Sequence, residues 1–377
     1  MSEWVSKKIG DIANLYQGLA INAKTKHLLV TESSLPLLRI KDLLEGTKEQ
    51  FVDPKLAPLQ CVVEPNELVM TRTGQVGYVF MGKSGVLHNN CFKITVTDPE
   101  VDTRFLYWNF NSNAQRDYLT TIAAGSVQPD LNHKVFKDYD VLLPPLTEQK
   151  AIASVLSSLD DKIDLLHRQN KTLEAMAETL FRQWFIEEAK EDWEEKTIGD
   201  IFTIKGGGTP STKEPSYWDG GIAWTSPRDL STAKSLYMFS TERTITELGL
   251  TKVSSGLLPV GTLLMSSRAP IGYLALTDIE VAVNQGYIAI LKHDLYSNEF
   301  MYLWCKANME LIKNSGNGSV FQEISKASFR ELPFVCPPEP LLKEFNDRCI
   351  NWFSKIKLNT KQIQTLENLR NTLLPKL

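Results

Sequence analysis

Residues 143–185 read LPPLTEQKAIASVLSSLDDKIDLLHRQNKTLEAMAETLFRQWF. Pro144 and Pro145 block helix at the front of this stretch. Thr147 then suits an N-cap, and Glu148 in the first turn suits the positive end of the helix dipole. Beyond them the apolar positions fall on alternating steps of four and three: Ile152, Leu156, Leu159, Ile163, Leu166, then Asn170, then Leu173, Ala177, Leu180 and Trp184. That rhythm, broken by one polar residue, is a coiled-coil seam rather than the broad stripe of a surface helix. A helix over 148–185 would be about 57 Å long and would need a partner along its seam.

The chain supplies that partner by duplication. WVSKKIGDI at 4–12 returns as WEEKTIGDI at 193–201. Lys41-Asp42-Leu43 answers Arg228-Asp229-Leu230, and LVMTRTGQVGYVF at 68–80 answers LLMSSRAPIGYLAL at 263–276. Asn89-Asn90 falls on Asn284-Gln285, Gly125-Ser126-Val127 on Gly318-Ser319-Val320, and Pro144-Pro145 on Pro337-Pro338. Carried through the helix, the last offset turns the seam into Phe345, Cys349, Trp352, Ile356, Asn359, Ile363, Leu366, Arg370, Leu373 and Leu377, most of them apolar. The C-terminal segment is therefore a second copy of the helix, with Pro340 suited to its first position. Antiparallel packing of the two seams sets Asn170 opposite Asn359, and a buried Asn pair fixes register at a cost in stability. The alternative is that both lie slightly off the seam, in water.

The organisation expected is 1–147 globular, 148–190 helix, 191–339 globular and 340–377 helix. Strand-like runs occupy 67–80, 92–97, 261–276 and 280–291. Helical runs occupy 102–124, ended by Gly125, and 298–314, before Gly316. Strands and helices without a βαβ rhythm give an α+β class. The expected fold is two similar globular domains separated by two long antiparallel helices forming a coiled-coil rod, an internal duplication with pseudo-twofold symmetry.

The net charge of −4 does not advertise nucleic-acid binding, and only 340–377 carries a positive balance. No run of eighteen apolar residues suggests a membrane span, and MSEWVSKKIG lacks the apolar segment of a secretory signal. Five cysteines, an odd number without a close pair, suit reduced thiols in a cytoplasm. The frameworks of the two globes agree while their loops differ: QGLAINAKTKHLLVTESS at 17–34 against KGGGTPSTKEPSYW at 205–218. Loops over a fixed scaffold carry recognition, and DNA suits a two-headed reader because half-sites recur about every 34 Å.

GSVQPDLNHKVFKDYDVLLPPLTEQKAIASVLSSLDDKID, at 125–164, closely resembles the end of the first target-recognition domain and the central helix of type I restriction–modification specificity subunits. GGGTPSTKEPSYWDGGIAWTSPRDL and SSRAPIGYLAL…VAVNQGYIAIL resemble that family's second target-recognition domain, so the likeness spans essentially the whole chain. The resemblance implies a subunit that reads an interrupted double-stranded DNA target, one half per domain, with the helices setting the gap. It implies two methyltransferase partners carrying S-adenosylmethionine and the adenine-N6 chemistry, two restriction–motor subunits, and no catalysis, cofactor or metal in this chain. A methyltransferase-only or type IIB-like complex is the variant reading. The second helix opens Glu-Pro-Leu-Leu where the first has Leu-Thr-Glu-Gln, which leaves the symmetry of the partner surfaces open.

Base readout draws on Arg or Lys for guanine, Asn or Gln for adenine, and Ser or Thr for either. On that basis the first domain offers Lys41, Thr71, Arg72, Thr73, Gln75, Asn89, Asn90, Ser126, Gln128, Asn132 and Lys134. The second offers Lys205, Thr209, Ser211, Thr212, Lys213, Trp218, Arg228, Ser266, Ser267, Arg268, Asn284, Gln285, Ser319 and Gln322. Any one of these residues is equally suited to forming a turn or facing solvent. Gly206-Gly207-Gly208 lacks the Lys-Ser/Thr ending of a P-loop and reads as a flexible loop. Pro129-Asp130 with Glu148-Gln149-Lys150 loosely fits a metal-nuclease pattern, and a two-headed protein or glycan adaptor is the non-DNA alternative.

Overall fold

The 143–185 stretch is helical from Leu146, two residues earlier than its composition suggests. In this computed structural model, which describes residues 4–123, 129–232, 235–268, 270–317 and 322–374, the helix runs Leu146–Arg182. A π-turn, Gln183–Glu187, carries it onward. Thr147 is not the N-cap. The Pro145 carbonyl receives the N–H groups of Glu148 and Gln149 at 2.8 and 3.0 Å, so the proline closes the turn and Thr147 stands exposed within it. The second long helix, Glu339–Leu373, begins the same way, with the Pro338 carbonyl receiving Leu341 and Leu342; Pro340 sits one residue past the first position. Among the described residues no helix is long and apolar enough to cross a membrane.

The chain resolves into two units, residues 1–163 with 365–377, and residues 164–364. Each unit therefore takes one globe together with stretches of both long helices.

In the second unit the helices run antiparallel. The Trp184 and Phe345 rings lie 6.2 Å apart at one end of the packed stretch, and Asn170 meets Asn359 further along. Asn359 is fully buried, which sets aside the reading that both asparagines lie in water. Its Nδ2 donates to Asn170 Oδ1 at 2.9 Å and to Gln169 Oε1 at 3.4 Å, and Asn170 Nδ2 donates to Thr360 Oγ1 at 3.3 Å. Among the described residues Asn359 Oδ1 is buried without a partner, so the layer costs stability while it selects a register. Phe181, Phe185, Phe300 and Phe345 interlock at 5.0–6.1 Å, seating the end of the first long helix in this unit's core.

In the first unit, Ile152, Ala153 and Leu156 of that helix share a core with Leu373 and Leu374 of the second. Arg370, at a seam position, pairs with Asp160. Leu377, the last expected seam residue, lies outside the described residues. Gln149 braces the helix to its globe. Its amide accepts from the Asp102 N–H at 2.9 Å and donates to the carbonyls of Glu100 and Pro144 at 3.0 and 2.8 Å. The corresponding residue, Leu342, is fully buried in the second unit's core. The Glu-Gln against Leu-Leu difference is thus, at this position, a polar brace exchanged for an apolar one.

Both globes are α+β, and both repeat one plan. Strand Val5–Lys8 pairs with Asp140–Leu143, and Glu194–Thr197 pairs with Pro333–Cys336. In the first unit Ala13–Gln17, Cys91–Val96, Leu68–Thr71 and Val79–Phe80 form an antiparallel sheet in that order. In the second, Ile204–Lys205, Tyr287–Ile290, Leu263–Ser266 and Leu274–Thr277 repeat it, with Tyr237–Met238 added at the edge. A further sheet lies in each: five strands in the first unit, three in the second. The apolar runs 67–80 and 261–276 are hairpins rather than single strands; Gly77 and Gly272, at φ +82° and +105°, allow the turn. Likewise 102–124 is two helices, Thr103–Phe110 and Asn113–Ile122, because the Ser112 side chain caps the second. The run 298–314 breaks at Asn308. All five cysteines are free thiols.

Two measurements check the helix pairing. Replacing Asn170 and Asn359 together by Leu should raise stability by about 1 kcal/mol, the scale of one relieved buried polar group, while loosening register. Urea unfolding, and spin-label distances between positions 176 and 352, would read the two effects. Gln149→Ala, which strips the Asp102 N–H and the Glu100 and Pro144 carbonyls of their shared partner, should cost about 1–3 kcal/mol in the same unfolding assay.

Candidate nucleic-acid interface

Each sheet ends in a cluster of polar loops, and the same backbone hydrogen bonds hold both clusters. The Thr71 N–H donates to the Tyr78 carbonyl as the Ser266 N–H does to that of Tyr273, and each hydroxyl accepts the tyrosine N–H, at 2.9 and 2.8 Å. The Arg72 N–H bonds the Asn90 carbonyl, and the Ser267 N–H bonds that of Gly286, both at 2.8 Å. The Leu131 N–H bonds the Arg72 carbonyl, and the Ile324 N–H bonds that of Ser267, both at 3.0 Å. Asn132 and Ser325 then cap the short helices His133–Lys137 and Lys326–Arg330. Gly18 and Gly207 lie against the backbone at His88 and Val283, where a Cβ would collide. The duplication read from the sequence thus extends to individual hydrogen bonds, and it brings residues from four distant segments to one edge of each unit.

The shared frame also explains the Lys/Arg-Asp-Leu motif. Asp42 and Asp229 each reach back over the first turn of a short helix, accepting the N–H groups of Arg39 and Ser226 at 3.2 and 2.8 Å. Lys41 and Arg228 stand exposed beside them; Lys41 pairs with Glu49 at 2.7 Å.

Several candidates are occupied inside the fold. Thr71 and Ser266 are fully buried in the hairpin bonds just described, with Ser266 Oγ also donating to the Pro270 carbonyl. Arg72 makes a two-pronged bond to Asp130, at 2.8 Å on each prong, and donates a third to Gln17 Oε1 at 2.8 Å. Thr73 joins the same carboxylate at 2.9 Å. Both Asp130 oxygens are therefore held by Arg72 and Thr73, which removes the acid that the nuclease pattern required. Asn132 is spent on its cap and Asn284 Oδ1 on the Gly286 N–H. Trp218 is buried, edge-on to Trp224 at 5.1 Å with the Arg243 guanidinium 3.5 Å from its ring centre. Ser267 is buried as well, its hydroxyl without a partner among the described residues.

The groups left facing outward differ between the units. The first presents Gln75 and Lys134 exposed, with Asn89 and Asn90 half-buried. The second presents Ser211, Thr212, Lys213, Arg228 and Gln322 exposed. Thr209 and Gln285 stand exposed and bonded to each other at 2.8 Å. Lys205 donates to the Ser255 carbonyl at 3.3 Å, and Arg268 lies 3.6 Å from Glu323. Ser126, Gln128 and Ser319 lie outside the described residues. The triple glycine is a close-packed crossing rather than a free loop: the Gly208 N–H bonds Val283, the Trp224 indole donates to Gly208, and Ser254 Oγ donates to Gly206 and Gly207. Gln17 and Lys326, absent from the sequence candidates, complete the clusters, together with Asp130, which the sequence suggested only as part of a nuclease pattern. Their signal was the correspondence of Gln17 with Gly206 and of His133 with Lys326.

A family model described as the type I restriction modification DNA specificity domain matches residues 1–175 and again residues 190–368. The chain belongs to this family. Its two specificity domains are therefore built on one hydrogen-bonded frame and carry different outward-facing groups, and DNA sequence recognition is their role. The chain is 26% identical to the type I restriction enzyme MjaIX specificity subunit of Methanocaldococcus jannaschii, with 100% of this chain and 92% of that one covered. It is 19% identical to the HindI specificity subunit of Haemophilus influenzae, covering 100% and 99%. The crystal structure of the S subunit of M. genitalium has a like fold, with a TM-score of 0.66, 18% identity, and 99% and 95% coverage.

The first domain's clamp should titrate. Hydrogen bonds from Arg72, then Thr73, hold the Asp130 carboxyl below its ordinary value against the opposing effect of burial. A carboxyl depressed in the folded state contributes stability above its unfolded value of about 3.9 and loses it as pH falls toward the folded one. Asp130→Asn should cost about 1–3 kcal/mol near neutral pH, and the difference from wild type should shrink as the pH drops below about 4. Urea unfolding across that range reads both.

Proposed function

We propose that this chain is the recognition subunit of a type I restriction–modification complex, reading a two-part DNA target with one specificity domain on each half. The observation that carries this reading is the pairing of one backbone frame, shared by both domains, with two different sets of exposed polar groups. Such a device places two readers of the same geometry and different specificity in a single chain. Exposed Arg, Lys, Gln, Ser and Thr side chains over that frame suit hydrogen bonding to base edges and phosphates.

The chain contributes recognition and no chemistry. Methyltransferase subunits, two in number, bring S-adenosylmethionine and adenine-N6 transfer, and two restriction subunits complete the assembly, in the cytoplasm. Partners also account for the absence of a basic footprint, since they supply part of the phosphate contact. The full-length likeness to type I subunits favours this assembly over a methyltransferase-only one.

Mapping N6-methyladenine across the host genome, with and without the gene, tests the reading. A bipartite motif should vanish with the gene. Arg268→Ala should relax or lose only one half of that motif, by the roughly 1–3 kcal/mol that one base contact discriminates. An unchanged methylation map on deletion would refute the function. Loss of both halves equally would refute the assignment of Arg268 to one of them.

A further inference from the structure

The two specificity domains put different chemistry at one shared position. In the first, Gln17 reaches the Arg72 guanidinium, and Arg72 is clamped to Asp130. The corresponding residues in the second are Gly206, Ser267 and Glu323. Residue 206 has no side chain, and Lys326 fills the space. The Lys326 Cδ and Cε lie 2.6 and 2.8 Å from where a Cβ on residue 206 would be, with the ammonium beside them. Lys326 stands where the first domain has His133, a ring packed edge-on against Phe92 at 5.0 Å.

The charge balance differs accordingly. In the first domain the one cation of the cluster is matched by one acid at contact distance. In the second, the matching acid, Glu323, lies 3.6 Å from Arg268. Among the described residues no acid pairs with Lys326, although its side chain is half-buried. A partly desolvated ammonium without a counter-charge costs free energy, and an anionic ligand offsets that cost. Lys326 follows Ile324, whose N–H is bonded to the carbonyl of Ser267, and it abuts Gly206, next to exposed Lys205. It therefore stands on the polar edge that the second domain presents.

We propose that Lys326 binds a backbone phosphate of the target DNA in the second specificity domain, a contact for which the first domain has no counterpart because Arg72 is spent on Asp130. The proposal rests on the DNA-recognition reading and adds an asymmetry to it: the second domain contributes affinity as well as sequence, and the first leaves this position neutral.

The test uses the full chain assembled with its methyltransferase partner. The probes are a duplex carrying the genome-mapped methylation target and a scrambled duplex, titrated from 50 to 200 mM salt. Each phosphate neutralised adds about 0.9 to the slope of log affinity on log salt. Lys326→Met and Lys326→Gln should each lower that slope by about 0.9 on both duplexes. Affinity would then fall about 3.5-fold less across the salt range than it does for wild type. Lys326→Arg should keep the wild-type slope. A wild-type slope in both neutral variants, or a weaker affinity at unchanged slope, overturns the proposal. A wild-type complex that prefers neither duplex sinks the DNA-recognition reading itself, a result separate from any effect of Lys326.

Discussion

An apolar seam along a long helix cannot be left to water, and the only matching seam in this chain belongs to its own second copy. Most of the architecture follows from that constraint. In the second unit the two helices close on each other around a layer of Asn170, Asn359, Gln169 and Thr360, where a hydrogen-bonding requirement selects one register. At one end of that stretch the interlocked rings of Phe181, Phe185, Phe300 and Phe345 make the helix part of the domain core. Burial supplies most of the free energy, and the polar layer chooses among the ways of spending it.

The globes show a second division of labour, between backbone and side chain. Hairpin, cap and loop bonds recur at corresponding positions in both domains, although different residues occupy them. Thr71 and Ser266 perform one task, as do Asn132 and Ser325, and Asp42 and Asp229. Because these bonds satisfy buried main-chain groups, their loss would be felt in folding. Other side chains on the frame differ between the domains: Gln17, whose amide donates to the Asn89 and Cys91 carbonyls, against Gly206, Thr73 against Arg268, and His133 against Lys326. A protein whose specificity must change while its fold stays constant is well served by that separation.

The seam, the repeat and the α+β class could be read from the sequence because each is a periodic or duplicated signal that outlasts local noise. The Asn170–Asn359 pairing followed from the register of the two seams alone. Local breaks were harder to see. The turn at Gly77 sits inside a run whose apolar content mimics one strand, and Ser112 interrupts a run with helical composition throughout. The candidate site was legible as a set of segments and less so as individual side chains. Arg72 has the chemistry of a guanine reader, and nothing near it in sequence shows that Asp130, 58 residues away, will occupy it. Trp218 and Ser266 look equally available until burial is known. Lys326 escaped notice because its position depends on an absent side chain at residue 206.

The two units differ in how their chain is assembled. Residues 164–364 form one uninterrupted stretch, whereas the first unit's core takes in Leu373 and Leu374, and Asp160 pairs with Arg370. Of the two units, the one that begins earlier in the sequence is therefore the later to be completed. Its core stays open until residues 365–374 have been made, after every residue of the second unit. Domains generally fold as they emerge, N-terminal first, and this topology reverses the order of completion. Loss of residues 365–374 would thus damage the unit that begins earlier in the sequence.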